Sequence, residues 1–242
     1  MISLPQFFSL HHLTEVDSTN DEARRRAAAG AASGLVIWAD RQSAGRGRQG
    51  RSWQSPPGNL YCSILLRPDK PAIEVAQLSF AAALAVSDAL PGVGAVRCKW
   101  PNDVLIGARK VAGILLESEA AGDNVAALII GFGINVASSP KGTATPATSL
   151  AAAGVGTTPG AVLGDLCRRF LHWHETWRDR GFGPLREAWL GRAHGLGGEI
   201  RVRYGTVETL GRFVDLDPSG ALVLETGEGR RHISAGEVFA TA

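Results

Sequence analysis

Cysteine is scarce in this 242-residue chain, which has only Cys62, Cys98 and Cys167. The count is odd, no two form a C-x-x-C pair, and none has a histidine at zinc-ligand spacing. This argues against a disulfide framework and a structural metal, and reads as reduced, buried thiols in a cytoplasmic protein. Long apolar runs are missing as well. No stretch approaches the roughly 18 residues of a membrane helix, and the run at 125–130 is strand-sized. The first 13 residues lack a basic start followed by a long apolar run, which excludes a signal peptide of the usual kind. There is no internal repeat of solenoid length. Charge of one sign is not in excess: the net charge is +2, so nothing demands nucleic acid or an anionic membrane as partner. What remains is ordinary globular material, 45% apolar and 20% charged. It suffices for one large domain, or one good-sized domain with a small appendage.

Thr19 and Glu22 have the T-x-x-E capping-box spacing and predict a helix that Gly30 closes. Residues 35–39 predict a short buried strand. Residues 40–58 hold four arginines, three glycines before Gly58 and two prolines, a composition that predicts a loop without regular structure. So long a loop in a compact domain is functional or disordered. Residues 59–66 read as a strand, and 73–90 as one Ala-rich helix ending near Pro91-Gly92. Val96–Lys99, Asp103–Ile106, 110–119 and 125–136 read as strands, with Gly107-Ala108-Arg109 suited to a tight hairpin. Residues 137–149, rich in Ser, Thr, Pro and Gly, read as a mobile connector. Pro159–Arg180 and 184–190 read as helices. Beyond Gly191 come short strands at Glu199–Tyr204, 207–214 and 221–225, and a last one around 233–239. They predict a barrel-like module of about fifty residues, a size that needs support from a neighbour. A boundary near 192–197 divides the chain into 1–191 and 192–242. The expected class is α+β, an α/β arrangement on a mixed sheet rather than a doubly wound parallel one.

Five segments carry candidate chemistry. Gly45-Arg46-Gly47-Arg48-Gln49-Gly50-Arg51, followed by Trp53, offers backbone N–H groups, forked cations and a ring for stacking, a suitable lid over a small anion. By composition alone a solvated basic loop or an RNA-binding arginine-glycine segment fits equally well. It matches neither the Walker A loop nor the Rossmann fingerprint. Lys99-Trp100-Pro101-Asn102-Asp103 sets polar groups around a stiff turn, with Asp103 able to take magnesium; an ordinary polar turn is the plainer reading. Lys110-Val111-Ala112-Gly113-Ile114-Leu115-Leu116-Glu117 starts an apolar strand with a lysine and leaves a backbone gap at Gly113. A lysine there can point into a cleft, or simply lie on the surface. Gly131-Phe132-Gly133-Ile134-Asn135-Val136 has two strand glycines that suggest close approach by a flat ligand, or a bulge, and Asn135 could meet an adenine edge or a phosphate. Asp17-Ser18-Thr19-Asn20 with Gln42 suits a neutral polar head group such as a urea, with helix capping as part of its work.

In order and spacing these segments together resemble the biotin protein ligase family. The resemblance runs from about Val16 to Val136. It resumes at 211–217, 220–224 and Gly236-Glu237-Val238, which look like that family's SH3-like barrel. It implies a class II aminoacyl-tRNA-synthetase-like catalytic domain followed by that barrel. It also implies an enzyme that makes biotinyl-5′-AMP and pyrophosphate from biotin and ATP with Mg2+. Biotin would then pass to a lysine of a biotin carboxyl carrier domain of an acyl-CoA carboxylase, releasing AMP. Carried onto matching positions, Ser18, Thr19, Asn20 and Gln42 would meet the biotin ureido ring. Gly45, Arg46, Gly47, Arg48, Trp53, Lys110, Gly113 and Leu115 would complete the biotin site. Arg46, Arg48, Arg51, Lys99, Asn102, Lys110, Gly133 and Asn135 would serve ATP. Arg48 and Lys110 would be the catalytic cations that bring two anions together, and Asp103 would serve magnesium or the acceptor lysine. Some members carry an N-terminal helix-turn-helix domain. Here the ligase motif starts at Asp17, so the expectation is a ligase without DNA binding; a homodimer stays open.

Three rivals remain at this stage. A lipoate ligase on a related fold is disfavoured by the loop and the Lys-Trp-Pro-Asn-Asp segment. An RNA-binding protein is disfavoured by the small net charge and the lack of interleaved aromatics beyond Trp53. A biotin-binding module without turnover would lack ATP chemistry.

Overall fold

The computed structural model describes residues 2–90, 92–143 and 145–240. In chain order the elements are β1 (Ser9–Val16), α1 (Thr19–Ala28), β2 (Leu35–Gln42), β3 (Leu60–Leu66), α2 (Ala72–Val75), α3 (Leu78–Asp88), β4 (Val96–Lys99), β5 (Asp103–Ile106), β6 (Arg109–Ala121), β7 (Asn124–Ile134), α4 (Pro159–Arg180) and α5 (Gly183–Leu190). A second group follows: β8 (Glu199–Tyr204), β9 (Val207–Leu216), β10 (Leu222–Thr226), β11 (Gly229–Ile233) and β12 (Glu237–Ala240).

Strand pleating decides what faces what. Along β7, Ile130, Phe132 and Ile134 alternate with Ile129, Gly131 and Gly133, so the first three go to one face and both glycines, after Ile129, to the other. The strands form a sheet in the order β1-β2-β3-β7-β6-β5-β4. β1 and β2 are parallel and every other pair is antiparallel, which makes the sheet mixed as expected. The bulky face packs on α3 and α4, with α5 against those two helices and β9, and Cys62, Ile64, Ile130, Phe132, Leu84 and Phe170 lie in the core. α3 is buried on nearly every side, as its Ala-, Leu- and Val-rich sequence requires. On the opposite face α1 presses Ala23 and Ala27, one turn apart, onto Ile37, Leu65, Ala127 and Ile129. α1 covers only part of that face, and the site lies on the remainder.

The second sheet, β11-β10-β9-β8-β12, is antiparallel throughout. Its inner residues Ile200, Val202, Phe213, Leu216, Leu222, Leu224 and Val238 belong to the same continuous core as the large sheet. Trp189 meets Phe213 with ring centroids 6.5 Å apart, and Trp100 Nε1 donates to Gly220 O at 3.2 Å. The small sheet thus gets from its neighbour the support that its size demands.

Several sequence expectations need correction. β1 is a regular strand where none was expected: it lies at the sheet edge, mostly exposed, and carries no apolar run. The capping box does not form. Ser18 is the N-cap without a side-chain bond, Thr19 Oγ1 donates instead to Gln42 Oε1, and Glu22 is held by Arg25 and Arg26. The stretch 73–90 is two helices, because the backbone bonds at the junction tighten to three-residue spacing, Gln77 N to Glu74 O, Ser79 N to Ala76 O and Phe80 N to Gln77 O; Pro91 lies outside the described residues. β2 runs on to Gln42 because β1 pairs with it that far, and a 3-10 turn occupies Arg48–Gly50 inside the expected loop. The connector at 137–149 is tied down at its end: Lys110 N donates to Pro146 O at 2.8 Å and Thr148 N to Lys110 O at 2.9 Å. The last strand is in fact two, since the polar, exposed β11 pairs with β10 and only β12 returns to β8.

The three thiols are free and buried. Burial pushes Cys98 and Cys167 up to about 12 and Cys62 well above the ordinary thiol value, so all three stay protonated at neutral pH. No described helix is long and apolar enough to cross a membrane, and the described residues hold no group of three His, Cys, Asp or Glu poised for a metal ion.

The turn between β9 and β10 shows how the small sheet is pinned. Asp217 Oδ1 accepts from Ser219 N (2.8 Å), Ser219 Oγ (2.6 Å) and Ala221 N (3.0 Å), while Oδ2 meets His232 Nδ1 at 2.9 Å. Burial raises this carboxyl, but those bonds outweigh it and hold the pKa at about 2, against 3.8 for an ordinary aspartate. A depressed folded-state value means stability that is present above pH 4 and lost as pH falls toward 2. Asp217→Ala is expected to cost about 1–2 kcal/mol at pH 7 and to flatten that acid dependence. Urea titrations at both pH values check it; matching midpoints at pH 7 would remove the turn from the account.

Candidate active site

On the α1 side of the sheet the register lines residues into rows. Tyr61, Gly133 and Gly113 form one row, Ser63, Gly131 and Leu115 the next, and Leu65, Ile129 and Glu117 the third. α1 covers the third row. Above the first two lies a cavity of about 580 Å³. Its floor is therefore glycine and backbone, which lets a ligand approach the sheet closely.

At one end sit neutral polar groups. Ser18, Thr19 and Asn20 are 2%, 4% and 4% exposed, and all three line the cavity with Gln42. Thr19 N and Oγ1 both donate to Gln42 Oε1, at 2.8 and 3.1 Å, and Gln42 Nε2 donates to Ser55 Oγ at 2.9 Å. Asn20 is laid directly on Gly131: a Cβ there would fall 2.2 Å from Asn20 Oδ1. Buried neutral donors and acceptors of this kind suit an uncharged polar group taken out of water.

The flat group admitted by Gly113 and Gly133 is, in this structure, the indole of Trp53. A Cβ on Gly133 would lie 2.4 Å from Trp53 Cε2, and one on Gly113 would lie 2.9 Å from Trp53 Cζ3. Trp53 Nε1 is buried and has no hydrogen-bond partner among the described residues. Lys110 Nζ stands 5.3 Å from the ring centroid, within cation–π range.

Cations gather at the other end. Lys110 Nζ pairs with Asp103 Oδ1 at 2.6 Å. Arg48 Nη1 reaches Asn102 Oδ1 and Gly236 O, both at 3.3 Å, and Asn102 is itself fixed to the Ile114 carbonyl. Arg51 makes a two-point contact with Glu237, at 2.8 and 3.2 Å. Lys99 is 8% exposed, with Nζ 5.9 Å from the Phe239 ring centroid. Burial pushes Lys99 and Arg48 below their ordinary values, against the pull of Asp103 and Glu237. Cations stripped of water in this way gain by meeting an anion. Burial raises the Glu237 carboxyl, but Arg51, Lys99 and Arg203 outweigh it and hold it down. Asn135 donates its amide to Thr148 O at 3.0 Å.

Nearly every residue singled out from sequence lines this one cavity, Gly113, Leu115, Gly133 and Asn135 included. Two are placed differently. Gly45 lies beneath the loop, accepting from Trp53 N at 2.8 Å, and does not line the cavity. Arg46 lines it but spends its guanidinium on Asp21 (2.6 Å) and Glu117 (3.0 Å). Sequence reasoning missed Ser63, Glu117 and Glu237. A single serine in the otherwise hydrophobic run Leu60–Leu66 was a signal for Ser63, and an acid spaced by two from Leu115 was one for Glu117. Glu237 stood out only within the barrel segment Gly236-Glu237-Val238, with no sign that a different sheet would bring it to the cavity.

Residues 13–135 match the model of the biotin/lipoate A/B protein ligase family, and residues 195–240 match that of the biotin protein ligase C-terminal domain. The chain is 44% identical over 237 residues to a biotin–acetyl-CoA-carboxylase ligase of Paracoccus denitrificans, covering 94% of this chain and 98% of that protein. The chain belongs to the biotin/lipoate A/B protein ligase family. It is also 36% identical to the bifunctional ligase/repressor BirA of Bacillus subtilis, covering 92% of this chain and 71% of BirA. Among solved structures it superposes on the biotin protein ligase from Aquifex aeolicus in complex with biotin and ATP. The TM-score is 0.81 at 32% identity, covering 96% of this chain and 97% of that one. The fold is thus the biotin ligase fold, an α+β domain on a mixed sheet with a small SH3-like sheet after it.

In this member of the family the arginine-rich loop is latched to the small sheet by Arg51–Glu237 and by Arg48 to Gly236 O. Glu237→Ala is expected to free the loop, so that trypsin cuts after Arg48 or Arg51 several-fold faster than in the parent protein. Equal cleavage rates, followed by mass spectrometry, would show that the latch does not restrain the loop.

Proposed function

We infer that the chain is a biotin protein ligase: it activates biotin with ATP to biotinyl-5′-AMP and pyrophosphate, then passes biotin to a carrier lysine and releases AMP. One observation carries this reading. A single cavity joins a neutral hydrogen-bonding pocket at Ser18, Thr19 and Gln42 to a cluster of cations at Arg48, Arg51, Lys99 and Lys110, of which Arg48 and Lys99 are partly desolvated. A cyclic urea with a carboxylate tail fits the first end and reaches toward the second, where a nucleotide triphosphate belongs.

In the first step a biotin carboxylate oxygen attacks the α-phosphorus, and the bond to pyrophosphate breaks. Two anions must meet, so cations that hold both, and hold the developing charge more strongly, lower the barrier. Lys110 and Arg48 take that role here. Lys99, Arg51, Asn102, Gly133 and Asn135 hold the nucleotide. In the second step the carrier amine attacks the acyl carbon, the bond to AMP breaks, and the amine loses its proton. Asp103, 2.6 Å from Lys110, is the carboxylate placed to assist there. Trp53 and the loop keep water from the mixed anhydride.

Magnesium fits in a limited sense. The cavity's two carboxylates, Asp103 and Glu237, are each already paired with a cation, and no metal cage exists among the described residues. An ion carried by the triphosphate, with Asp103 as its protein ligand, suits this; bound there it would neutralise phosphate charge.

The carrier is a biotin carboxyl carrier domain of an acyl-CoA carboxylase, as the name of the Paracoccus relative suggests. We further propose a division into a catalytic unit, 1–191, and a barrel, 192–242, in a cytoplasmic enzyme; a homodimer is compatible with this reading.

The test is exchange of labelled pyrophosphate into ATP. Exchange is expected to require biotin, to ignore lipoate, and to fall by about two orders of magnitude or more in Lys110→Ala. A folded parent protein that shows no exchange would sink the ligase reading in favour of a binding module.

A further inference from the structure

Beneath the cavity floor runs a chain of hydrogen bonds whose members do not all touch the cavity. It starts at Glu117 on β6. One carboxylate oxygen takes Arg24 at 3.0 Å; the other takes Arg46 at 3.0 Å and Asn20 Nδ2 at 2.7 Å. It continues through Ser63, fully buried in the middle of β3, whose Oγ lies 2.6 Å from Asn20 Oδ1 and 2.8 Å from Thr19 Oγ1. From Thr19 it passes to Gln42 Oε1, then from Gln42 Nε2 to Ser55 Oγ at 2.9 Å, and from Ser55 to the Trp53 carbonyl at 3.0 Å. Neither Ser63 nor Glu117 lines the cavity.

Counting protons along this chain gives it a direction. An ionised carboxylate only accepts, so the Asn20 amide must turn its nitrogen to Glu117 and its oxygen to Ser63. Gln42 Oε1 accepts from the Thr19 backbone N–H, which turns the Gln42 nitrogen toward Ser55. Oε1 also takes the Thr19 hydroxyl proton. Ser63 has one proton to give, and it goes to Asn20 or to Thr19. No proton is left over at these two oxygens, so Thr19 Oγ1 and Asn20 Oδ1 offer only lone pairs to any further partner, while the second Asn20 N–H faces the Leu115 carbonyl at 3.5 Å. At those two oxygens the wall can accept hydrogen bonds and cannot give them.

We propose that Glu117 and Ser63 are positioning residues that polarise this wall, so that it selects a head group by its N–H donors. The proposal rests on the ligase reading and deepens it: the substrate's cyclic urea is recognised through its N–H groups at Thr19 and Asn20, on the orientation that the buried acid and hydroxyl impose. Without Ser63 the two oxygens lose their shared donor. With an amide in place of Glu117, the anchor can give as well as accept, and both amides are free to flip.

The experiment measures pyrophosphate exchange in Ser63→Ala and Glu117→Gln, with biotin, with desthiobiotin and with varied ATP. Desthiobiotin keeps the urea and lacks the thioether ring. KM for biotin and for desthiobiotin should rise by the same factor, about tenfold or more, with kcat and the KM for ATP within about twofold of the parent. A general structural defect would move the ATP constant as well. Unchanged biotin KM in both variants, a rise for biotin but not desthiobiotin, or an equal rise for ATP would each overturn the proposal. A parent protein without biotin-dependent exchange would instead overturn the ligase reading beneath it. Thermal melts check each variant, and if Ser63→Ala does not fold, Ser63→Cys, which keeps a weak donor in place, is expected to show a smaller rise of the same kind.

Discussion

The cavity exists because Gly113 and Gly133 face each other across β6 and β7. Any side chain at either position would collide with the Trp53 indole, and a larger one would fill the space above the sheet. The neighbouring row repeats the device, with Gly131 leaving room for the Asn20 amide. Pleating then does the rest. The residues between these glycines, Ile114, Phe132 and Ile134, are forced to the other face, where they close the core against α3 and α4. One alternation therefore builds the hydrophobic core and the binding floor together. A slip of one residue in register would exchange them, which is why the pairing of β6 with β7 can tolerate so little error.

That alternation was legible in the sequence, and so were the strands that carry it. β4, β5 and α4 were bounded correctly from turn residues and apolar periodicity. What could not be read follows from where sequence signals act. β1 has no apolar run because an edge strand needs little burial, and β11 is hidden for the same reason. Thr19 and Glu22 had the spacing of a cap, but local spacing does not reveal that Gln42 and two arginines compete for them. The glycines announced a flat neighbour without saying that it would be a tryptophan from the same chain. The family resemblance assigned Arg46 to the nucleotide along with Arg48; only the fold brings Asp21 and Glu117 against it.

The arginines of the loop are thereby sorted by their carboxylates. Arg46 is anchored to α1 and β6, the rigid part of the structure, while Arg51 is anchored to β12 of the small sheet. Arg48, between them, has no carboxylate within ion-pair distance among the described residues. It rests on Asn102 and a backbone carbonyl, and burial depresses it. A buried cation satisfied only by neutral oxygens is the one with most to gain from a new anion, since little existing Coulomb energy is lost when the anion arrives. The two flanking pairs hold the loop by its ends and leave its central charge free to respond.

This arrangement also explains why a small sheet should be joined to the catalytic one by a continuous core rather than by a flexible linker. Glu237 can hold Arg51 only if β12 keeps a fixed position relative to β5 and β6. That position is set by contacts between the two sheets: Trp189 on Phe213, Trp100 on Gly220, and Arg186 on the Leu216 carbonyl. A free hinge would average the Glu237 carboxylate over many positions and lose the short two-point geometry that makes an Arg–carboxylate pair specific. The apolar packing between the two sheets is thus what gives a charge on one of them a definite address in the site of the other.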